Sequence, residues 1–495
     1  MIKQSVKTPL KRLVGTYIIF GIILMAVVLR LHILTHSAGF FCDEGAIILN
    51  IKSRSYFELL FPLDHAQCCP PLFLMLEKFI YSIFGLNEFF LRLVPSIASI
   101  MTLMFFTLIG FKVFRNQLSI IFGLLILSLN PAILMHSQSL KQYSTDTAIV
   151  LLIILGALQL KDRELSKKQS VLVGMILAFF CWFSYPAIFV SCPILFVFLL
   201  LAIRNNNHHR IKSLLYISFP LAISLVVEFF INCNGALHNQ ALIDYWSNNE
   251  KFFLQGVNDF EFFLEYIFGK LQSFTLIYLL LTIFGLLTWV RQDSKIVAII
   301  TAPIIFSSIL GFFHLYPFGP TRVTLFVVPL VILIAAKTFD NFEMKSVLYL
   351  FLCFALFFFS VPPVSVINSI SLVLKEKVFY RQSNVKEYVK LLKNEGVKLD
   401  DVIFVDINGA HTFEIYDEKN NFLQNNIIYQ FTPENTMLKL NRIKKNQQVF
   451  FYLLHDKEVN PQLHEIVEPW IEHNCIILKE KNDEVGHFIK CRKRI

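Results

Sequence analysis

Val14 to Leu34 is a long apolar run that directly follows Lys3, Lys7, Lys11 and Arg12. A helix needs about 20 predominantly apolar residues to cross the hydrocarbon layer, and this run supplies them. It exceeds the core of a secretory signal and no small-residue cleavage pattern follows it. It therefore reads as an uncleaved first span with a cytoplasmic N-terminus. Further apolar stretches recur near 90–112, 117–136, 142–160, 170–184, 186–203, 213–231, 271–290, 296–314, 322–339 and 346–363. Together they predict a polytopic α-helical membrane protein with about eleven transmembrane helices.

The polar residues between the runs test this alternation. Lys112/Arg115, Lys161/Arg163/Lys167/Lys168, Arg204/Arg210/Lys212, Arg291/Lys295 and Lys337/Lys345 fall in gaps that counting from the N-terminus places in the cytoplasm. Lys and Arg favour cytoplasmic loops, so charge and count agree, and both put the C-terminus outside. Two non-cytoplasmic loops, 36–89 and 232–270, are long enough to have a role of their own. In the first, "ELLFPLDHAQCCPPLFLMLEKFIYSIFG" mixes apolar, aromatic and charged residues in the manner of helices lying in the interface.

Past Lys375 the pattern changes. "VKEYVKLLKNEG" reads as an amphipathic helix ending at Gly396. "DVIFVDI", "NIIYQF", "QQVFFYLL" and "NCIILKE" read as short strands, separated by helical stretches such as "PENTMLKLNRIKK". This alternation predicts a small extracytoplasmic α/β domain over 375–495, with a largely parallel sheet, after a membrane domain over 1–374. No GxGxxG or P-loop pattern occurs there, so nucleotide binding has no support.

Composition narrows the class further. Hydrophobic residues make up 55% of the chain and charged ones 16%, with 52 Phe. Soluble domains carry roughly a quarter charged residues, so the bilayer is the chain's solvent. The net charge of +9 is scattered through short loops, which fits topology and argues against a nucleic-acid face. The nine Cys show neither paired CxxC motifs nor zinc spacing. Cys42, Cys68, Cys69, Cys475 and Cys491 fall on the outer side, where a disulfide could form, with no pairing assigned.

Six pieces in order, "CDEGAIILNI", "QCCPPLFLMLEKF", "FGLNEFFLRLVPSIASI", "HSQSLKQYSTD", "FSYPAIFV" and "YPFGPTR", cover most of 36–340. In this order they resemble GT-C type membrane glycosyltransferases that use lipid-phosphate sugars. The similarity is to the branch holding protein O-mannosyltransferases and lipid A aminoarabinose transferases. It implies an inverting transferase in the plasma (inner) membrane. Such an enzyme moves a monosaccharide from a polyprenyl-phosphate donor to a cell-envelope glycan, lipid or protein on the outer face. The resemblance also implies that the acid after the first span, here Asp43, is the catalytic base. Many relatives carry His just before the paired prolines; this chain has Cys69 there, with His65 upstream.

Chemistry gives each candidate a role beside a plainer alternative. Asp43 and its neighbour Glu44 could accept a proton from the acceptor, or Asp43 could cap the helix that begins there. Lys141, Arg322 and Arg92 are candidate cations for the leaving phosphate. Lys141 could equally be an interfacial snorkelling lysine. Arg322 sits where positive charge is disfavoured, which favours function, whereas pairing with Glu88 one turn earlier is the preferred reading of Arg92. Asp146 could orient Lys141 but is better read as a cap, and Tyr143 belongs to an outer aromatic belt in which a ring or two could stack on sugar. Glu228 stands out as an acid at the outer end of a span. No cofactor is expected; Asp43–Glu44 with Asp64 or His65 is the alternative for a divalent cation. A lipid-sugar flippase and an envelope polysaccharide polymerase are the rival readings.

Overall fold

The computed structural model describes residues 7–36, 39–248, 253–254, 257–269, 275–341, 385–398, 401–405, 407–417, 427–430, 433–454, 461–482 and 486–494. The chain divides into two compact units, Met1–His36 with Ser55–Lys377, and Ser37–Arg54 with Val378–Ile495. Sequence alone put the boundary after 374 and left 37–54 with the membrane part; the structure groups that segment with the C-terminal residues.

The first unit is a bundle of apolar helices. Six are long and apolar enough to cross a membrane among the described residues: Leu13–Thr35, Leu93–Val113, Tyr143–Leu160, Pro186–Arg204, His208–Cys233 and Ser294–Phe312. Gln117–Leu129 and Leu276–Gln292 are shorter apolar helices. The stretches expected near 170–184 and 322–339 contain helices Lys167–Phe183 and Val327–Ala336, and the one expected near 346–363 lies outside the described residues. Large apolar side chains such as Leu172, Phe179, Phe219 and Phe230 face outward. Tyr143–Leu160 and Val327–Ala336 are apolar on nearly every side and lie inside the bundle.

Local chemistry explains where these helices start and break. The run expected as one span over 117–136 is two helices, Gln117–Leu129 and Pro131–His136. Pro131 has no N–H to continue the ladder. Asn130 spans the gap: its Oδ1 accepts from Ile133 N at 2.9 Å, and its Nδ2 donates to the carbonyls of Tyr266 and Ile267 at 3.0 and 2.9 Å. Helix His208–Glu228 runs on through one π-turn, Phe229–Cys233, of the kind common at functional sites. At the ends rich in Lys and Arg, Asn207 and Asp293 cap their helices by accepting backbone N–H groups.

A buried ion pair ties three helix ends together there. Lys337 Nζ lies 2.6 Å from Asp340 Oδ2 and donates to the Val113 carbonyl at 3.1 Å. Asp340 Oδ1 accepts from the N–H groups of Arg115 and Asn116 at 2.6 and 2.9 Å. The Lys337 ammonium also faces the Phe114 and Trp289 rings.

The second unit is an α/β domain. Its five strands are β1 (Val402–Val405), β2 (Ile427–Gln430), β3 (Gln448–Leu454), β4 (Cys475–Asn482) and β5 (Gly486–Lys493), in the order β2-β1-β3-β5-β4. β1 pairs in parallel with β2 and β3, while β5 pairs antiparallel with both β3 and β4. The expected largely parallel sheet is therefore mixed. The strand that makes it so is "GHFIKCRK", which folds back on β4 as a hairpin and enters between β3 and β4. Alternation along β1 sends Val402 and Phe404 into one core with Val449, Phe451 and Trp470, and Ile403 and Val405 into another with Tyr388 and Phe413. Both faces are thus covered, and all four β1 residues are buried.

Helix Cys42–Ser53 packs in this unit against helix Ile407–Asp417. The contact depends on Gly45, where a Cβ would lie 2.9 Å from Thr412 N and 3.0 Å from the His411 carbonyl carbon. Just upstream, Phe40 N donates to the Tyr416 hydroxyl at 2.8 Å. The eight described cysteines are all free thiols.

Candidate functional site

The candidate acids belong to the second unit. Helix Cys42–Ser53 starts one residue before Asp43, so Phe41 occupies the cap position and Asp43 lies inside the first turn, half-buried. Glu44 is 1% exposed and turns back so that its carboxylate accepts from Phe41 N at 2.8 Å. Glu44, and not Asp43, thus provides the helix-start hydrogen bond that the sequence suggested. Two carboxylates in the first turn also meet the positive end of the helix dipole.

The candidate cations belong to the first unit. Lys141 sits in the turn before helix Tyr143–Leu160, and this turn is the most polar buried stretch of the bundle. From His136 to Thr147, ten polar side chains are all under 7% exposed: His136, Ser137, Gln138, Ser139, Lys141, Gln142, Ser144, Thr145, Asp146 and Thr147. Burying polar groups is costly unless each finds a partner, so this concentration requires an organised network. The Ser137 carbonyl accepts from Ser96 Oγ at 2.7 Å, and the His136 carbonyl from Ser144 Oγ at 2.9 Å. Lys141 Nζ donates to Gln67 Oε1. Lys141 is 4% exposed, which excludes a snorkelling lysine.

Gln67 arrives on a strained loop. His65 and Ala66 both have positive φ, 61° and 51°, a left-handed conformation that non-glycine residues seldom adopt in succession. His65 itself is exposed, and its carbonyl accepts from Gln67 Nε2 at 3.1 Å. The chain then enters "CCPP". Cys69 Sγ donates to Gln142 Oε1 at 3.2 Å, and Gln142 Nε2 donates to the Cys68 carbonyl at 3.4 Å. Burial pushes both thiols up, so neither is a ready thiolate nucleophile. The Tyr185 hydroxyl lies 2.5 Å from Asn232 Oδ1 and 3.0 Å from the Cys69 carbonyl, and burial raises it well above the ordinary phenol value. Asn232 is presented by the π-turn. Gln67, Gln142 and Asn232 join this network without having been singled out in the sequence, whereas Tyr185 belongs with Tyr143 to the outer aromatics read there.

Arg322 opens a short 3-10 turn, Arg322–Thr324, at the end of "YPFGPTR". Two tyrosines brace that turn: Tyr266 Oη donates to the Thr321 carbonyl at 3.0 Å, and Tyr316 Oη donates to the Val323 carbonyl at 2.9 Å. The guanidinium sits 5.9 Å from the Tyr143 ring and 5.9 Å from the Tyr245 ring. Tyr143 follows Lys141 by two residues and packs edge-on to His136 at 5.0 Å, so the Arg322 turn and the Lys141 turn meet at this ring. Arg92 is 1% exposed at the junction of helices Glu88–Leu91 and Leu93–Val113, where its backbone joins the two.

Three buried acids complete the picture. Asp146 Oδ1 and both carboxylate oxygens of Glu77 and of Glu228 have no hydrogen-bond partner among the described residues. Glu77 lies on helix Pro71–Phe84, and burial raises it well above the usual carboxylate range. The signal for Glu77 was in the sequence, as one acid inside "LFLMLEKF".

No protein-family model matches the chain, nor does any curated protein sequence. Solved structures of ArnT from Cupriavidus metallidurans do match it in fold. The apo form is 11% identical, with 96% of this chain and 98% of that chain covered and a TM-score of 0.55. The form bound to undecaprenyl phosphate is 12% identical, covers 95% and 97%, and gives a TM-score of 0.54. The chain thus has the ArnT-like polytopic membrane fold over at least 95% of its length, with the small sheet in its C-terminal part.

Proposed function

We propose that this protein is a glycosyltransferase that takes a monosaccharide from a polyprenyl-phosphate donor. The observation that carries the reading is the meeting of Lys141 and Arg322 around Tyr143, in a turn of ten buried polar residues. Its support is the fold shared with ArnT, one of whose structures holds undecaprenyl phosphate.

In this reading Lys141 and Arg322 receive the lipid phosphate. As the bond from the anomeric carbon to the phosphate oxygen breaks, its electron pair stays on the phosphate. Two cations in a water-poor setting stabilise that charge most when it is largest, which lowers the barrier. Arg322 offers planar paired donors for phosphate oxygens, and Lys141 a compact charge held in place by Gln67. Tyr143 and Tyr245 flank the guanidinium and keep it from folding away. The partnerless acceptors of Asp146 and Glu228 suit sugar hydroxyl donors.

The acceptor hydroxyl or amine attacks the anomeric carbon from the opposite face, and its proton goes to a base that we assign to Asp43. One displacement inverts the anomeric centre and leaves a polyprenyl phosphate. Two fixed cations already balance the phosphate, so the scheme uses no metal. The acceptor is a cell-envelope glycan, lipid or protein, and the reaction faces outward from the plasma membrane, with the N-terminus and the Lys- and Arg-rich loops cytoplasmic.

The test supplies purified protein with radiolabelled polyprenyl-phosphate sugars and envelope extracts. Asp43→Asn should lower transfer by about 10²–10⁴-fold with donor binding intact. Lys141→Ala or Arg322→Gln should weaken binding of polyprenyl phosphate itself. Equal transfer by Asp43→Asn and wild type would remove Asp43 from the mechanism; unchanged lipid-phosphate binding in both cation variants would remove the donor site.

A further inference from the structure

The first unit holds a cavity whose chemistry differs from that of the Lys141 turn. It has a volume of about 290 Å³ and lies among helices Tyr143–Leu160, Lys167–Phe183, Pro186–Arg204 and His208–Glu228. Its walls are apolar, with Leu152, Gly156, Ile176, Phe180, Phe198 and Leu214 in its lining. It follows helix Tyr143–Leu160 from Leu152 to Leu160, about 12 Å at the helical rise. From Tyr143 to Leu160 the same helix runs about 26 Å, so the cavity's far end lies nearly one membrane thickness from the Lys141 turn.

Three features identify its occupant. The surrounding helices include three that are long and apolar enough to cross a membrane, and Ile176 in the wall is 44% exposed, so the cavity opens toward the hydrocarbon layer. At the Leu160 end Arg163 and Arg210 join the lining, and the Arg210 guanidinium stands 5.0 Å over the Phe198 ring. Glu164 lines this end too and accepts from Asn207 Nδ2 at 3.4 Å, while Asp162 pairs with Lys295 at 3.0 Å, so Glu164 is one carboxylate among several cations. Lys167 and Lys212 add positive charge to the same helix ends. An apolar slot with a cationic mouth at the membrane edge matches a chain with an anionic head.

We propose that this cavity binds an acyl chain of an anionic phospholipid, with the phosphate at Arg163 and Arg210. The bound lipid lies in the leaflet opposite the Lys141 turn and fills the wedge between helices Tyr143–Leu160 and His208–Glu228.

The test places the full-length protein in nanodiscs with phosphatidylglycerol carrying a photoreactive diazirine on one acyl chain, and maps the label by peptide mass spectrometry. Label should fall on Ile176, Phe180 and Leu214. Gly156→Leu should abolish it by filling the slot; a Cβ at Gly156 meets nothing within 4 Å, so the fold accepts the change. Ile176→Trp, which crowds the open wall, is a second variant that should give the same loss. Unlabelled phosphatidylcholine should compete about five-fold less well than phosphatidylglycerol, and the double variant R163Q/R210Q should erase that difference. Labelling that survives both filling variants overturns the proposal, as does equal competition by phosphatidylcholine. Displacement by polyprenyl phosphate in preference to phosphatidylglycerol would instead give the cavity to a prenyl chain and equally overturn it.

Discussion

Asp340→Ala is the sharpest stability test the structure offers, because its cost is predicted to differ from that of its ion-pair partner. The Asp340 side chain is fully buried and that of Lys337 is 2% exposed. Removing Asp340 strands a buried ammonium, whose remaining oxygen partner is the Val113 carbonyl, and orphans the N–H groups of Arg115 and Asn116. A buried charge left without its partner costs about 3–5 kcal/mol. The lost backbone bonds add about 1–3 kcal/mol. Lys337→Met is milder, because the stranded carboxylate keeps both N–H donors and the thioether refills most of the volume, so its cost falls at the low end of the buried-charge range, about 3 kcal/mol, with no backbone bond lost. The double variant K337M/D340A should be more stable than Asp340→Ala alone, since it removes the stranded charge. Thermal unfolding of the detergent-purified protein, followed by tryptophan fluorescence, reads all three; Trp289 lies 5.4 Å from the Lys337 ammonium and reports locally. Equal losses for the two single variants, or simple additivity in the double, would refute the reasoning.

Other outcomes follow from the same geometry. Gly45→Ala should separate helix Cys42–Ser53 from helix Ile407–Asp417, since backbone atoms of His411 and Thr412 block a Cβ; faster proteolysis near 37–54 is the readout. Arg322→Lys should lower transfer by about 10²-fold or more despite the retained charge, because a point charge cannot replace paired planar donors; steady-state kinetics would show it mainly in the turnover number. Glu395 is held below its ordinary value by hydrogen bonds from Lys479 and then Lys490. A depressed carboxylate stabilises the fold above its unfolded pKa and loses that contribution as pH falls through the folded one, so Glu395→Gln should lower thermal stability at neutral pH and above, and the loss should shrink to nothing at acid pH, which flattens the acid limb.

Much of this architecture was legible in the chain. Apolar runs located the helices to within a few residues, because a membrane helix states its length openly. The break at Asn130–Pro131 was also written there, as an Asn-Pro pair inside an apolar run, yet length alone merged the two helices. The β5 strand escaped notice because "GHFIKCRK" mixes Phe488, Ile489 and Cys491 with Lys490, Arg492 and Lys493 and lacks the apolar density of its neighbours. The site was legible in part. Lys141 and Arg322 could be named from their unusual positions, but their meeting at Tyr143 depends on a turn 180 residues away. Gln67, Gln142 and Asn232 are amides, and an amide announces nothing until its partner is known. The grouping of 37–54 with the C-terminal unit had no local signal, since it rests on Gly45 meeting a helix more than 350 residues downstream.

That last feature sets an order of events during synthesis. The segment bearing Asp43 leaves the ribosome early and must wait, unsupported, for a scaffold encoded after more than 300 further residues. A chain stopped near 377 would keep Lys141, Arg322 and their neighbours but leave the helix of Asp43 without the surface that shapes it. An early stop would therefore leave residues 37–54 made but with no domain to join.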